Sequence, residues 1–196
     1  MLLQLSETVA SHLSSQLASL AQLFLTALGD SERSVSVMAL RACCAFVSTL
    51  STDDDALLFR ALVPPMVQVA RVAAAQRDDS TMSSFCDAFA ELAQTPVPVI
   101  NTHLAEVVPF LLEVMRCSDE ELERATRDGA ANVIGALAEY KPKLLGKAGL
   151  VPLIVETCVG IMATADASRS TGGAAGALFV SATTSVQPQY QNSVDV

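Results

Sequence analysis

The side chains able to do chemistry are few and scattered. Two histidines, His12 and His103, and five cysteines, Cys43, Cys44, Cys86, Cys117 and Cys158, are spread along the chain. A nucleophile needs a base within hydrogen-bond reach and a third group to orient that base. His12 and His103 fall in different helical stretches with no such motif around either. No CxxC pair occurs and neither histidine has a ligand-spaced partner, so neither a disulfide framework nor a metal site is expected. Each cysteine lies among Ala, Val, Phe or Met, the setting of a small core hydrophobe in a reducing compartment. Gly146-Lys147 lacks the upstream glycines of a phosphate loop, and Gly172-Gly173 lacks a strand-to-helix setting. The sequence therefore points to no enzyme and to no cofactor.

The carboxylates are more organised. Asp53-Asp54-Asp55, Asp78-Asp79 and the run Asp119-Glu120-Glu121-Leu122-Glu123 all fall where a helix is about to start. At such positions acids cap backbone N–H groups and complement the helix dipole. They also contribute to a net charge of −9 and a pI near 4.6. A nucleic-acid binder needs a basic footprint to displace counterions, and this chain has none. An acidic surface instead suits basic protein segments, which it steers electrostatically.

The elements that must position these residues are helices. Half of the 196 residues are hydrophobic, only 5% are aromatic, and no row of alternating strands can be read. Ala, Leu and Val dominate, as in closely packed helices. The opening MLLQLSETVASHL lacks the basic flank and cleavage pattern of a signal peptide. Leu150 to Ala165, the most apolar stretch, is short and carries Glu156, so no membrane span is expected there.

A repeat runs through the chain. Pro65-Met66-Val67-Gln68-Val69, Pro109-Phe110-Leu111-Leu112-Glu113 and Pro152-Leu153-Ile154-Val155-Glu156 align, with their prolines 44 and 43 residues apart. Leu20 to Leu25 continues the apolar pattern one period earlier, without the proline. A period near 43 is that of HEAT and armadillo repeats. The predicted first helices span 10–28, 54–76, 99–117 and 143–164, and the predicted second helices 31–50, 79–95 and 119–140. The expected fold is thus an all-α, α-α superhelix of about three and a half helix pairs: 10–50, 54–95, 99–140 and a half repeat at 143–164. Gly29-Asp30 and Arg77-Asp78-Asp79 are the tight hairpin turns. Pro64, Pro65, Pro109 and Pro152 are read as lying inside first helices and bending them. The alternative is that a helix ends before its proline and another starts there. Residues 1–164 form the repeat domain on this reading, and 165–196 an irregular or disordered tail, with Ala177-Leu178-Phe179-Val180 as its apolar patch.

Leu62-Val63-Pro64-Pro65-Met66 resembles a helix of importin-β-type nuclear transport receptors. Leu137-Ala138-Glu139-Tyr140-Lys141-Pro142-Lys143-Leu144-Leu145 resembles a helix-to-helix junction of the subgroup that includes importins 4 and 5. Asp119 to Tyr140, with Arg127 and Ala130-Ala131, is similar to the helix that precedes that junction. The resemblance covers residues 15–160 and implies a protein-binding module in nucleocytoplasmic import, at home in cytoplasm and nucleus. It implies protein cargo with basic segments and grooves between first helices that accept Phe side chains of FG-repeat nucleoporins. Ran-GTP contact belongs to N-terminal repeats of the family that are not matched here, and is not expected. The position after Val35, often Arg in the second helix of such a repeat, is Ser36. The competing readings are a generic HEAT scaffold or adaptor and a truncated, non-transporting receptor fragment.

Second helices line the binding surface of such a stack. Their polar residues Arg41, Asp87, Glu91, Arg124, Asp128 and Asn132 are the candidate protein-binding residues.

Overall fold

The computed structural model describes residues 16–47, 53–95, 98–118 and 120–176, the side chains of Asp53, Ala56 and 165–176 excepted. Nine α-helices lie among them: α1 Gln16–Leu28, α2 Arg33–Val47, α3 Asp53–Phe59, α4 Val63–Ala75, α5 Asp79–Gln94, α6 Leu104–Arg116, α7 Arg124–Tyr140, α8 Pro142–Lys147 and α9 Val151–Gly176. No strand occurs among the described residues. The predicted stretches 10–15 and 48–50, residue 119 and the patch at 177–180 lie outside them.

The helices form two layers. In the second-helix layer α5 packs between α2 and α7, and in the first-helix layer α4 packs against α6. The layers are joined by α4 on α5, α6 on α7 and α2 on α4. This is the stacking of a helical-repeat solenoid, in which each pair buries an apolar face that it cannot bury alone. Phe85 and Phe89 of α5, fully buried and stacked at 4.1 Å, carry the centre of the core, and Phe110 of α6 meets Phe85 edge-on at 5.8 Å. A second aromatic chain, Phe24–Phe46–Phe59 at 5.9 and 5.2 Å, ties α1, α2 and α3 together. Truncating a ring as buried as Phe85 costs about 3–5 kcal/mol. Between α5 and α7, a Cβ built on Gly129 would stand 3.3 Å from the Cys86 Cβ. The stretch Leu57–Ala75 is long and apolar enough to cross a membrane, yet 44% of its most apolar window is buried within the fold. Its Phe59, Leu62, Met66, Val67, Ala70 and Ala73 belong to the core.

Several boundaries differ from the sequence reading, each for a local reason. Pro64 and Pro65 follow a 3-10 stretch within a backbone that stays right-handed helical at Phe59, Leu62 and Val63. A 3-10 turn, Arg60–Leu62, closes α3, and α4 starts at Val63 with the prolines in its first turn. There their missing N–H groups would have had no helical partner anyway. Pro152 likewise lies in the first turn of α9, and a separate short helix, α8, precedes it. Only Pro109 is interior. It leaves the Ala105 carbonyl without a helical donor, and Ala105 is exposed, so water can take that carbonyl.

Helix α6 begins at Leu104, five residues later than predicted, after a turn over 99–102. Helix α7 begins at Arg124 instead of 119. The acidic run before it closes only a single turn: the Ser118 N–H and hydroxyl both donate to Glu121 Oε2 at 2.8 and 3.1 Å. Glu123 is then extended, at φ −58° and ψ 147°, which breaks that turn from α7. The α8–α9 turn needs Gly149 at φ +68°, with the Leu150 N–H donating to the Leu145 carbonyl at 3.1 Å, a Schellman closure. Helix α9 runs on to Gly176, past residue 164, through a stretch free of proline.

Two compact units divide the chain at residue 155, Met1–Val155 and Glu156–Val196. The second contains the rest of α9, with Thr157 buried and Val159 and Met162 exposed.

Candidate protein-binding surface

The first unit holds its repeats in register through polar contacts about one period apart. Ser36, Thr81 and Thr126 are buried hydroxyls at equal spacing on α2, α5 and α7. The Arg41 guanidinium donates to Thr81 Oγ1 at 3.3 Å and to Ser80 Oγ at 2.9 Å. The Thr126 hydroxyl donates to Asp79 Oδ1, which also accepts from the Glu123 N–H at 3.1 Å. Asp78 caps α5 by accepting from the Thr81 N–H at 3.1 Å and pairs with Arg33 of α2 at 3.5 Å. Burial pushes the Asp78 carboxyl up, but the Thr81 bonds and the Arg33 and Arg41 charges outweigh that and hold it below the ordinary value of 3.8. At the other end of the second helices, Lys141 Nζ donates to the Thr95 carbonyl at 2.8 Å, capping α5 from the following repeat.

The same register locates the free face of the second-helix layer. Because α5 is held by α2, α4 and α7, one stripe of it stays exposed: Ser80, Ser83, Asp87, Glu91 and Gln94. Set by the spacing of Ser36, Thr81 and Thr126, the equivalents of Ser83 are Met38 on α2 and Asp128 on α7. Those of Asp87 are Ala42 and Asn132. All six are exposed. The predicted residues Asp87, Glu91, Asp128 and Asn132 therefore share one surface. Arg124, at the start of α7, is exposed too and pairs with Asp128 at 3.5 Å. Arg41 stands apart: it is half-buried in the α2–α5 seam, bound to Ser80 and Thr81, with its Nε buried and unpartnered. Asp87 and Glu91 take part in none of the ion pairs of the described residues.

Sequence reading missed the apolar part of this surface. Val35 is 40% exposed and Met38 63% exposed, and Ala42 and Ala45 continue their stripe along α2. Val35 and Ala42 keep helical spacing with Ala39 and Phe46, which by itself does not tell a surface stripe from a core one. The equal spacing of Ser36, Thr81 and Thr126 was the signal that could have told them apart.

Two grooves lie one repeat apart near the hairpin turns of the first-helix layer. One, of about 310 Å³, is lined by Leu28, Val37, Val69 and Val72 together with the polar Asp30, Ser31, Arg33, Ser36, Gln68 and Gln76. The other, of about 340 Å³, lies between α4 and α6. Arg71 bridges it, 4.8 Å over the Phe110 ring and 2.7 Å from Glu113. No group of His, Cys, Asp and Glu able to hold a metal ion is present among the described residues.

Stacked helix pairs in two layers define an all-α helical-repeat protein of the HEAT type. Residues 1–110 match the family described as "IPO5-like, TPR repeats", and the chain belongs to this importin-β superfamily of importin-4- and importin-5-like repeat proteins. It is 33% identical over 110 residues to Importin-4 of Mus musculus, covering 56% of this chain and 10% of that protein. It is 33% identical over 125 residues to Importin-4 of Homo sapiens, covering 64% of this chain and 11% of that protein. The chain thus spans about a tenth of the length of the curated relatives it matches. No solved structure matches it.

Proposed function

We propose that this chain is a protein-binding module of an importin-β-type transport receptor and takes part in nuclear import of protein cargo with basic segments. The observation that carries the reading is the free second-helix face. Asp87 and Glu91 stand exposed there without a cationic partner among the described residues, in a chain of net charge −9. Binding would rest on shape and charge complementarity over stacked helices, with no chemistry performed. Membership in the importin-4- and importin-5-like family supports the transport role, and with it residence in both cytoplasm and nucleus. The groove lined by Leu28, Val69 and Val72, with Asp30 and Arg33 beside them, is the site offered to Phe side chains of FG-repeat nucleoporins. Ran-GTP contact is not part of the proposal.

Pull-down of the purified chain with FG-repeat peptides and, in parallel, Lys/Arg-rich peptides tests the reading. Capture of both supports a transport module. Capture of neither by a folded helical chain rejects it and leaves a HEAT scaffold of other purpose.

A further inference from the structure

Among the described residues no carboxylate comes within ion-pair distance of Arg41, although its guanidinium is half-buried in the seam between α2 and α5. Its acceptors are two hydroxyls, Ser80 Oγ at 2.9 Å and Thr81 Oγ1 at 3.3 Å, both reached from Nη2. Nε is buried and has no acceptor. Nε and Nη2 form one edge of the guanidinium fork, the edge that holds two oxygens of a carboxylate or phosphate side by side. That edge is half used, and what uses it is the hydroxyl of an exposed serine. The neighbouring carboxylates are committed elsewhere. Asp78 bonds to Thr81 and pairs with Arg33, and Asp79 accepts from the Thr126 hydroxyl and the Glu123 N–H of α7.

We infer that Ser80 is a phosphorylation site whose phosphate takes the open edge of Arg41 and locks α2 to α5. A phosphate on Oγ brings three acceptor oxygens and a charge of about −2 to this point, so one oxygen can hold Nη2 while another reaches Nε. Arg77 stands three residues before Ser80, exposed in a turn at φ +60°, where a protein kinase that reads basic residues can grip it. Thr81 is fully buried and is not the acceptor. Ser80 lies in the first turn of α5, and helix ends open at low cost to enter an active site. In the transfer, Ser80 Oγ forms a bond to the terminal phosphorus of a nucleoside triphosphate. The bond from that phosphorus to the bridging oxygen breaks, the nucleoside diphosphate leaves, and the hydroxyl proton passes to the base of the kinase. A neutral contact across the joint of two repeats thereby becomes a charge-assisted, two-pronged pair. Arg41 decides the sign of the effect, because without it the phosphate would face Asp78 and Asp79 uncompensated.

The test incubates the full chain with ATP and a protein kinase that selects Arg three residues before serine, and locates the phosphate by mass spectrometry. Ser80 is expected to carry it, with most of the incorporation lost in Ser80→Ala. The phosphorylated chain should melt about 4 °C higher than the unmodified one. Phosphorus NMR should place the second phosphate pKa of the folded chain below its value in urea, which is about 6. In Arg41→Gln, checked for folding by circular dichroism, phosphorylation should lower the melting temperature and should not depress that pKa. Absence of phosphate from Ser80 overturns the site. A phosphate that leaves melting temperature and pKa unchanged, or that shifts both equally in Arg41→Gln, overturns the pairing with Arg41.

Discussion

Thr126 of α7 donates its hydroxyl hydrogen to Asp79 of α5, so the first turn of one second helix is fastened to that of the preceding one. Asp79 also takes the Glu123 N–H, a donor at the α7 start that has no helical acceptor. One carboxylate thus caps the neighbouring helix and sets the stacking register. Asp79→Ala should destabilise the chain by about 1–2 kcal/mol. A double-mutant cycle with Thr126→Val should show coupling of about 1 kcal/mol in urea denaturation. Additive effects of the two substitutions would separate the residues.

Asp78 makes part of that stability depend on pH. Its folded carboxyl lies below the ordinary value of 3.8, so the stabilisation is fully present above that value. It is lost as pH falls through the lower folded value. Asp78→Asn should therefore lower stability at neutral pH and flatten the acid limb of the stability curve. A steep limb retained in the variant would assign acid sensitivity to other carboxylates.

The thiols should fall into two classes. Burial pushes Cys43, Cys44 and Cys86 up to about 12, with Cys44 raised further by Cys43 and Cys86, and Cys86 by Asp87. At pH 8 they remain protonated and enclosed, hence inert to disulfide exchange. Cys117 and Cys158 are half-buried. Thiol titration of the native chain should label those two first and the other three only on unfolding. Rapid labelling of Cys43 or Cys86 would mean that α2 and α5 separate readily.

Two glycines should respond to alanine with opposite signs. Gly149 adopts φ +68° with open space around it, so Gly149→Ala should cost about 1–2 kcal/mol through the backbone alone. Gly135 lies inside α7, also with open space, and Gly135→Ala should stabilise by about 0.5–1 kcal/mol. Melting temperatures of the two variants on either side of the wild type would bear this out, and shifts in one direction would contradict it.

The repeat was legible because its period is written in apolar residues and prolines, and a stack repeats the same packing problem in every pair. Helix ends were less legible. Pro64-Pro65 can bend a helix or open one, and the sequence does not show that a 3-10 stretch, Arg60–Leu62, stands just before them. The late start of α7 depends on Asp79, a long-range partner that local sequence does not reveal. Of the surface, Asp87, Glu91, Asp128 and Asn132 could be placed from helical spacing. Arg41 could not be separated from them, because its destination in the seam is set by Ser80 and Thr81 of the next repeat. Met38 was missed because nothing in the local sequence separates an exposed apolar residue of a helix from a buried one.

The central claim is that the free second-helix face binds basic protein segments through Asp87 and Glu91. The most direct measurement is the affinity of the full chain for a Lys/Arg-rich peptide at about 50 and about 300 mM salt. It is repeated with Asp87→Asn/Glu91→Gln. The account predicts affinity that falls with salt in the wild type, and a variant that binds more weakly at low salt and with a shallower salt dependence. Equal affinity at both salt concentrations, or a variant that binds as the wild type does, would contradict it.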